Sequence, residues 1–192
     1  MSKTVSVVYH SGYGHTAKVA EAVAAGAKLA ANTTVHLFKA EELTEEQWTT
    51  LDQSDAIIMG APTYMGGVSA PFKTFIDATS KRWFTSAWKD KIAAGFTNSA
   101  SYSGDKLASL QQLMILAMQH GMIWVGQSEQ SPKLGGTDVP PLDAINRVGS
   151  FSGLMTQSNA LSGPDIVPPS GDLETAKLFG KRVAEITARF SA

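Results

Sequence analysis

The chain has 192 residues, 43% of them hydrophobic and 17% charged, with a formal net charge of -1 and no cysteine. That length buries a core without covalent staples, and the composition lies outside the disordered class. The missing cysteine excludes a disulfide scaffold, a thiol nucleophile and a cysteine zinc site, and the near-neutral charge without a Lys/Arg-rich run leaves no electrostatic footprint for nucleic acid.

Thr4 to Tyr9 is β-branched and almost continuously apolar, which reads as a buried strand. His10 to Gly14 is a turn, and Val19, Ala20, Val23, Ala24 and Ala27 then recur at helical spacing through His15–Ala31, with Asn32 placed to end the helix. Thr34–Phe38 is a second strand, and Thr44 with Gln47 has the form of a capping box for a short helical turn. Asp55–Ala61 is a third strand, stopped by Pro62, and Pro71 suits the first turn of the helix bearing Phe72, Phe75 and Ile76.

Ile92–Thr97 is a fourth strand, followed by a polar loop, Asn98–Gly104. A helix over 106–120 carries Leu110, Leu113, Met114 and Ala117 on one face, with Gly121 just past its end. Met122–Val125 is a fifth strand. Residues 126–170 are rich in Gly, Pro and Ser without periodicity, and loops of this length are usually functional or mobile. A last helix, Leu173–Phe190, buries Phe179, Val183, Ile186 and Phe190. No apolar run approaches the ~18 residues of a membrane span, and the N-terminus lacks a secretory leader pattern, so a cytoplasmic chain with no membrane partner is expected.

Five strands alternating with helices form a doubly wound parallel α/β sheet with helices on both faces, in one domain over 1–192. Ligands of such sheets sit beyond the carboxyl ends of the strands, which points to the segments after Tyr9, Ala61 and Thr97. The first is Ser11-Gly12-Tyr13-Gly14-His15-Thr16. It offers hydroxyls and free backbone N–H groups at a helix N-terminus, a setting that favours phosphate. Read alone it is also an ordinary strand-to-helix turn. The GxxxxGK[ST] loop of nucleoside triphosphatases is absent, and Gly12-x-Gly14-x-x-Ala17 fits the dinucleotide fingerprint only loosely. The backbone of the second segment, Pro62–Gly67, can meet the polar edge of a flat heterocycle, and the third, Thr97–Gly104, is crowded with small hydroxyl residues just after a strand. Read singly, the second is also a Pro/Gly turn whose Tyr merely packs, and the third a polar loop with a helix cap.

Together with Gly60-Ala61-Pro62-Thr63-Tyr64-Met65-Gly66, Asp77-Ala78-Thr79, Phe96-Thr97-Asn98-Ser99 and His120-Gly121-Met122, the first loop resembles the flavodoxin-like NAD(P)H:quinone oxidoreductases of the WrbA type. The resemblance implies a flavodoxin-like sheet of order 2-1-3-4-5. It implies FMN with its phosphate on Ser11, Tyr13, Gly14, His15 and Thr16, and its ring near Pro62, Thr63, Tyr64, Met65, Gly66, Thr97, Asn98 and Ser99. It further implies Trp83 at the mouth of the site and His120 near the flavin, often contributed by a neighbouring subunit of a dimer or tetramer. NAD(P)H would be co-substrate, a quinone the acceptor, and no metal is expected. Two departures stand out: Tyr64 replaces the family's Arg after Pro-Thr, and Tyr102-Ser103-Gly104-Asp105 replaces its Gly-Gly-Gln-Glu run. On the residues alone, the stronger reading of His120 is a favourable charge partner at a helix C-terminus, without a catalytic task. Two other readings remain: a flavodoxin-type electron carrier, disfavoured by the lack of an acidic docking cluster, and a dinucleotide- or FMN-sensing module without turnover.

Overall fold

The computed structural model describes residues 2–136 and 138–190. Its elements are β1 (Lys3–Tyr9), α1 (His15–Ala27), β2 (Thr33–Lys39), α2 (Glu45–Gln53), β3 (Ala56–Tyr64), β4 (Gly67–Val68), α3 (Ala70–Ala78), α4 (Ser80–Phe84), β5 (Ile92–Ser99), α5 (Lys106–Gln119), β6 (Ile123–Trp124), β7 (Leu154–Gln157) and α6 (Ser170–Arg189). The sheet runs β2-β1-β3-β5-β6, and its β1–β2, β1–β3, β3–β5 and β5–β6 ladders are all parallel. The expected doubly wound, flavodoxin-like order is therefore present.

Period-2 alternation sorts the side chains onto two faces. Val5, Val7 and Tyr9 of β1, Ile58 of β3, and Ile92, Ala94 and Phe96 of β5 pack under α1 and α6. Val8, Ile57, Met59, Ala61 and Ala93 point the other way, toward Phe72, Phe75, Trp88, Leu110 and Leu113. The capping box forms as read: Gln47 N–H donates to Thr44 Oγ1 at 3.3 Å, and Thr44 N–H donates to Gln47 Oε1 at 3.0 Å. Pro71 lies in the first turn of α3, and Gly121 follows α5 with φ 68°.

The structure revises the sequence reading at several points, including the unread α4 and β4 and an α6 that starts at Ser170. α1 stops at Ala27, because Leu29 and Ala30 N–H bond three residues back, tightening the chain into turns before Asn32. β3 runs through Pro62 to Tyr64, then folds back antiparallel onto Gly67–Val68. β1 ends opposite Gly60, so past that point one flank of β3 is an edge, where a residue without N–H is tolerated. The fifth strand position is filled twice. β6 pairs with the start of β5, the chain leaves, and β7 returns to pair Phe96–Ser99 of β5 with Leu154–Gln157. The 126–170 segment is therefore not all loop. Finally, Phe190 caps α6 and is exposed rather than buried.

Candidate functional site

Parallel topology brings the carboxyl ends of β1, β3 and β5 side by side, and the three segments converge there. Ser11, Tyr13, His15 and Thr16, then Pro62, Thr63 and Tyr64, then Asn98 and Ser99 line one cavity of about 630 Å³. Ligand pockets commonly measure ~300–1,000 Å³.

At one end the cavity meets α1. Gly14 is the N-cap, in the left-handed region at φ 87°, and a Cβ there would also press on Pro164. No acidic residue occupies the first turn of α1. Ser11 Oγ accepts from Ala17 N–H at 3.1 Å, which fixes the hydroxyl over the helix start. His15 Nε2 donates to the Ser162 carbonyl at 2.9 Å.

At the other end the walls are set by hydroxyl and amide pairs. Thr63 Oγ1 lies 2.8 Å from Thr97 Oγ1 and 2.7 Å from Ser109 Oγ, locking the end of β3 to β5 and α5. Asn98 Oδ1 accepts from Thr156 Oγ1 at 2.8 Å and from Ser158 Oγ at 3.0 Å. With its oxygen so engaged, Asn98 keeps its amide hydrogens for a ligand in the cavity that it lines. Tyr13 and Tyr64 meet edge-on at 6.2 Å, and a Cβ on Gly12 would strike the Tyr64 hydroxyl. Burial, with Tyr13 alongside, pushes that hydroxyl above its usual pKa.

Several expected residues have side chains or positions that do not line the cavity. Gly14 shapes the turn beneath Pro164, and Thr97 is buried behind Thr63. Met65 and Gly66 form the β3–β4 turn, where Met65 is fully exposed and is not part of the cavity wall. Trp83 and His120 line a second cleft of about 450 Å³, together with Ile76, Gln112 and Ile115. There His120 Nε2 sits 2.9 Å from Thr79 Oγ1, whose own proton goes to the Ile76 carbonyl at 2.7 Å. Nε2 is therefore the protonated nitrogen, and the buried Nδ1 has no hydrogen-bond partner among the described residues. Burial pushes the His120 pKa down, and the ring packs 4.7 Å from Trp88. Within one chain the structure does not bring His120 or Trp83 to the first cavity.

The fourth wall escaped the sequence reading. Ser158, Ala160, Leu161, Ser162, Gly163 and Pro164, just past β7, close the cavity opposite the three loops. Their only signal was the length and the Ser/Gly/Pro content of the segment, which marks a functional loop without saying what it faces.

Residues 10–131 match the NADPH-dependent FMN reductase family, a span that contains all three converging loops. The chain belongs to this family. Along its whole length it is 46% identical to the flavodoxin FldP of Pseudomonas aeruginosa, of which it covers 100%. It is 31% identical to an NAD(P)H dehydrogenase (quinone) of Archaeoglobus fulgidus, with 96% of this chain and 97% of that one aligned. A crystal structure of a WrbA-like flavodoxin from Agrobacterium tumefaciens superposes with a TM-score of 0.74 at 45% identity, covering 99% of this chain and 100% of that one.

The cavity of this FMN reductase family member fits FMN by the chemistry of its donors. A dianionic phosphate suits the N-terminus of α1, whose Gly14 N-cap has no side chain, with Ser11 and Thr16 beside it and no carboxylate in its first turn. A flat, polar-edged ring suits the other end, where Pro62, Tyr64 and Leu161 supply apolar walls and Asn98 a free amide donor.

Proposed function

We propose that the chain is an FMN-dependent oxidoreductase that passes reducing equivalents from NAD(P)H to quinones or similar acceptors. The observation that carries this reading is the single cavity joining the start of α1 to the ends of β3 and β5. The family's named chemistry supports it, as do relatives named NAD(P)H dehydrogenase (quinone). Bound FMN supplies the hydride chemistry. The protein's own part is to hold and aim it. Ser11, Thr16 and the amides of the Gly12–His15 turn take the phosphate. Thr63, held by Thr97 and Ser109, and Asn98, held by Thr156 and Ser158, fix the ring edge. Tyr13 and Tyr64 form an aromatic rim over it.

The same reading places the enzyme in the cytoplasm, as one domain that assembles as a homo-oligomer. Exposed Trp83 and Ile115 line the second cleft, Phe84 and Met118 nearby in the chain are exposed as well, and a second copy covering this apolar surface can bring His120 and Trp83 toward a neighbour's flavin.

Purified protein loaded with FMN is mixed anaerobically with NADPH, then with benzoquinone. Bleaching of the flavin by NADPH alone and its return with quinone are expected. A flavin that NADPH cannot reduce without an added reductase would decide for the alternative, an electron carrier of the kind the name of the Pseudomonas relative denotes.

A further inference from the structure

Behind the third loop lies a charge cluster that the proposed chemistry does not use. Lys106, the first residue of α5, is 0% exposed. Its Nζ donates to Ser99 Oγ at 2.9 Å, to the Ser101 carbonyl at 2.6 Å and to the Tyr102 carbonyl at 2.8 Å. All three ammonium hydrogens are thus spent on residues 99–102. Arg147 and Asp172 are 3% and 2% exposed. Arg147 Nη2 donates to Asp172 Oδ2 at 3.1 Å and to Gln157 Oε1 at 2.9 Å, and Nη1 donates to the Tyr102 hydroxyl at 2.8 Å. Arg147 Nε lies 2.7 Å from Asp172 Oδ1 as an ion pair without hydrogen-bond alignment. Gln157 N–H adds a bond to Asp172 at 2.7 Å, and Gln157 Nε2 donates to the Ala100 carbonyl at 2.7 Å.

Two cations and one carboxylate therefore sit directly behind Ser99 and Ala100, both of which line the cavity. Burying an ammonium costs several kcal/mol, and an apolar replacement of similar volume is often neutral or stabilising. A neutral amide could staple the same carbonyls. What an ammonium adds is charge, and in a dry interior its field reaches well beyond its contacts.

We propose that Lys106 is a positioning residue for the ring end of the cavity: it holds the 99–102 loop and, with Arg147 and Asp172, projects a net positive charge through that wall, favouring reduced over oxidised FMN. This rests on FMN occupying the first cavity with its ring beside Asn98–Ala100. The reduced ring is the more anionic, so a cation near it binds that form more tightly. The same burial pushes Lys106 down to about 8, which still leaves it charged at pH 7.

The test compares wild type with Lys106→Met, Lys106→Gln, Lys106→Arg and Asp172→Asn at pH 7. Fluorescence quenching gives the affinity for oxidised FMN, and anaerobic equilibration with a reference dye gives the potential of the bound flavin. Met and Gln are expected to lower the affinity for reduced relative to oxidised FMN about tenfold, a fall of about 30 mV for a two-electron couple. Arg should keep the wild-type ratio, and Asp172→Asn should shift it the opposite way. Should one variant fail to fold, the remaining substitutions still fix the sign. Equal loss of both affinities with an unmoved potential would leave Lys106 a loop staple only and overturn the inference. Failure of wild type to retain FMN, or retention unaffected by Ser11→Ala with Thr16→Ala, would instead overturn the site on which it rests.

Discussion

At the scale of single residues, the cavity depends on positions where one atom more or one charge fewer has a definite consequence. Gly14 must hold a positive φ, and its missing Cβ leaves room for Pro164 of the fourth wall. Gly14→Ala therefore meets two penalties, a left-handed backbone worth about 1–2 kcal/mol and a displaced Pro164. Lower stability in urea and at least tenfold weaker FMN binding, followed by fluorescence, are expected. Lys106 carries a pH signature. Its folded-state value of about 8 lies below the 10.5 of an exposed lysine. Between those values the unfolded chain binds more protons than the folded one, so stability rises with pH there. The cost of burying the charge is fully present below pH 8 and is relieved by about pH 10.5. Other groups titrate in the same window, so the quantity to measure is the unfolding free energy of wild type minus that of Lys106→Met. That difference should climb from pH 8 to 10.5, and a flat difference would mean that the ammonium is not penalised by burial.

Elements rather than residues decide how closely the layers approach. α1 and α6 cross with Gly26 against the carbonyl of Lys177 and Gly180 against the carbonyl of Val23, and a Cβ at either glycine would fall on backbone that cannot give way. Gly180→Ala should cost about 1–3 kcal/mol or more, as overpacking does, read as a lower urea midpoint at unchanged slope. α1, α3, α5 and α6 were legible from their apolar spacing and α2 from its capping box, whereas α4 was not read; β1, β3 and β5 were legible because short apolar runs ended in turn residues. The split fifth strand was not. β6 has two residues and β7 four, each stabilised by pairing with a different half of β5 rather than by any pattern of its own. The same long-range pairing places Thr156 and Ser158 on Asn98, so the sequence pointed to Asn98 and said nothing of what aims it. Thr156→Val with Ser158→Ala should leave the fold intact and weaken FMN binding several-fold, because Asn98 is then free to turn its amide.

For the whole molecule, the position of the cavity followed from topology, while the separation of His120 and Trp83 from it did not. Residue identity alone cannot tell a histidine that faces its own flavin from one that faces a neighbour's. Burial pushes the His120 pKa down, and its Nε2 lies against Thr79 beside a cleft rimmed by half-exposed Trp83 and exposed Ile115. The formal charge of -1 leaves little repulsion to hold two copies apart, and an apolar rim in water favours covering it. If that face is the contact between copies, Phe84→Glu with Ile115→Glu introduces carboxylates where apolar surface is being buried. The expected result is a smaller species by light scattering, an unchanged circular dichroism spectrum and retained FMN, because neither residue lines the first cavity. Quinone turnover should fall along with the oligomer if the Trp83–His120 cleft completes a neighbour's site, and should persist in the dissociated form if each chain works alone. His120→Asn in the unmodified background separates the two, since it removes the imidazole without charging the face: lost turnover with the assembly intact would assign His120 to catalysis across the contact, and full turnover would leave it a buried partner of Thr79.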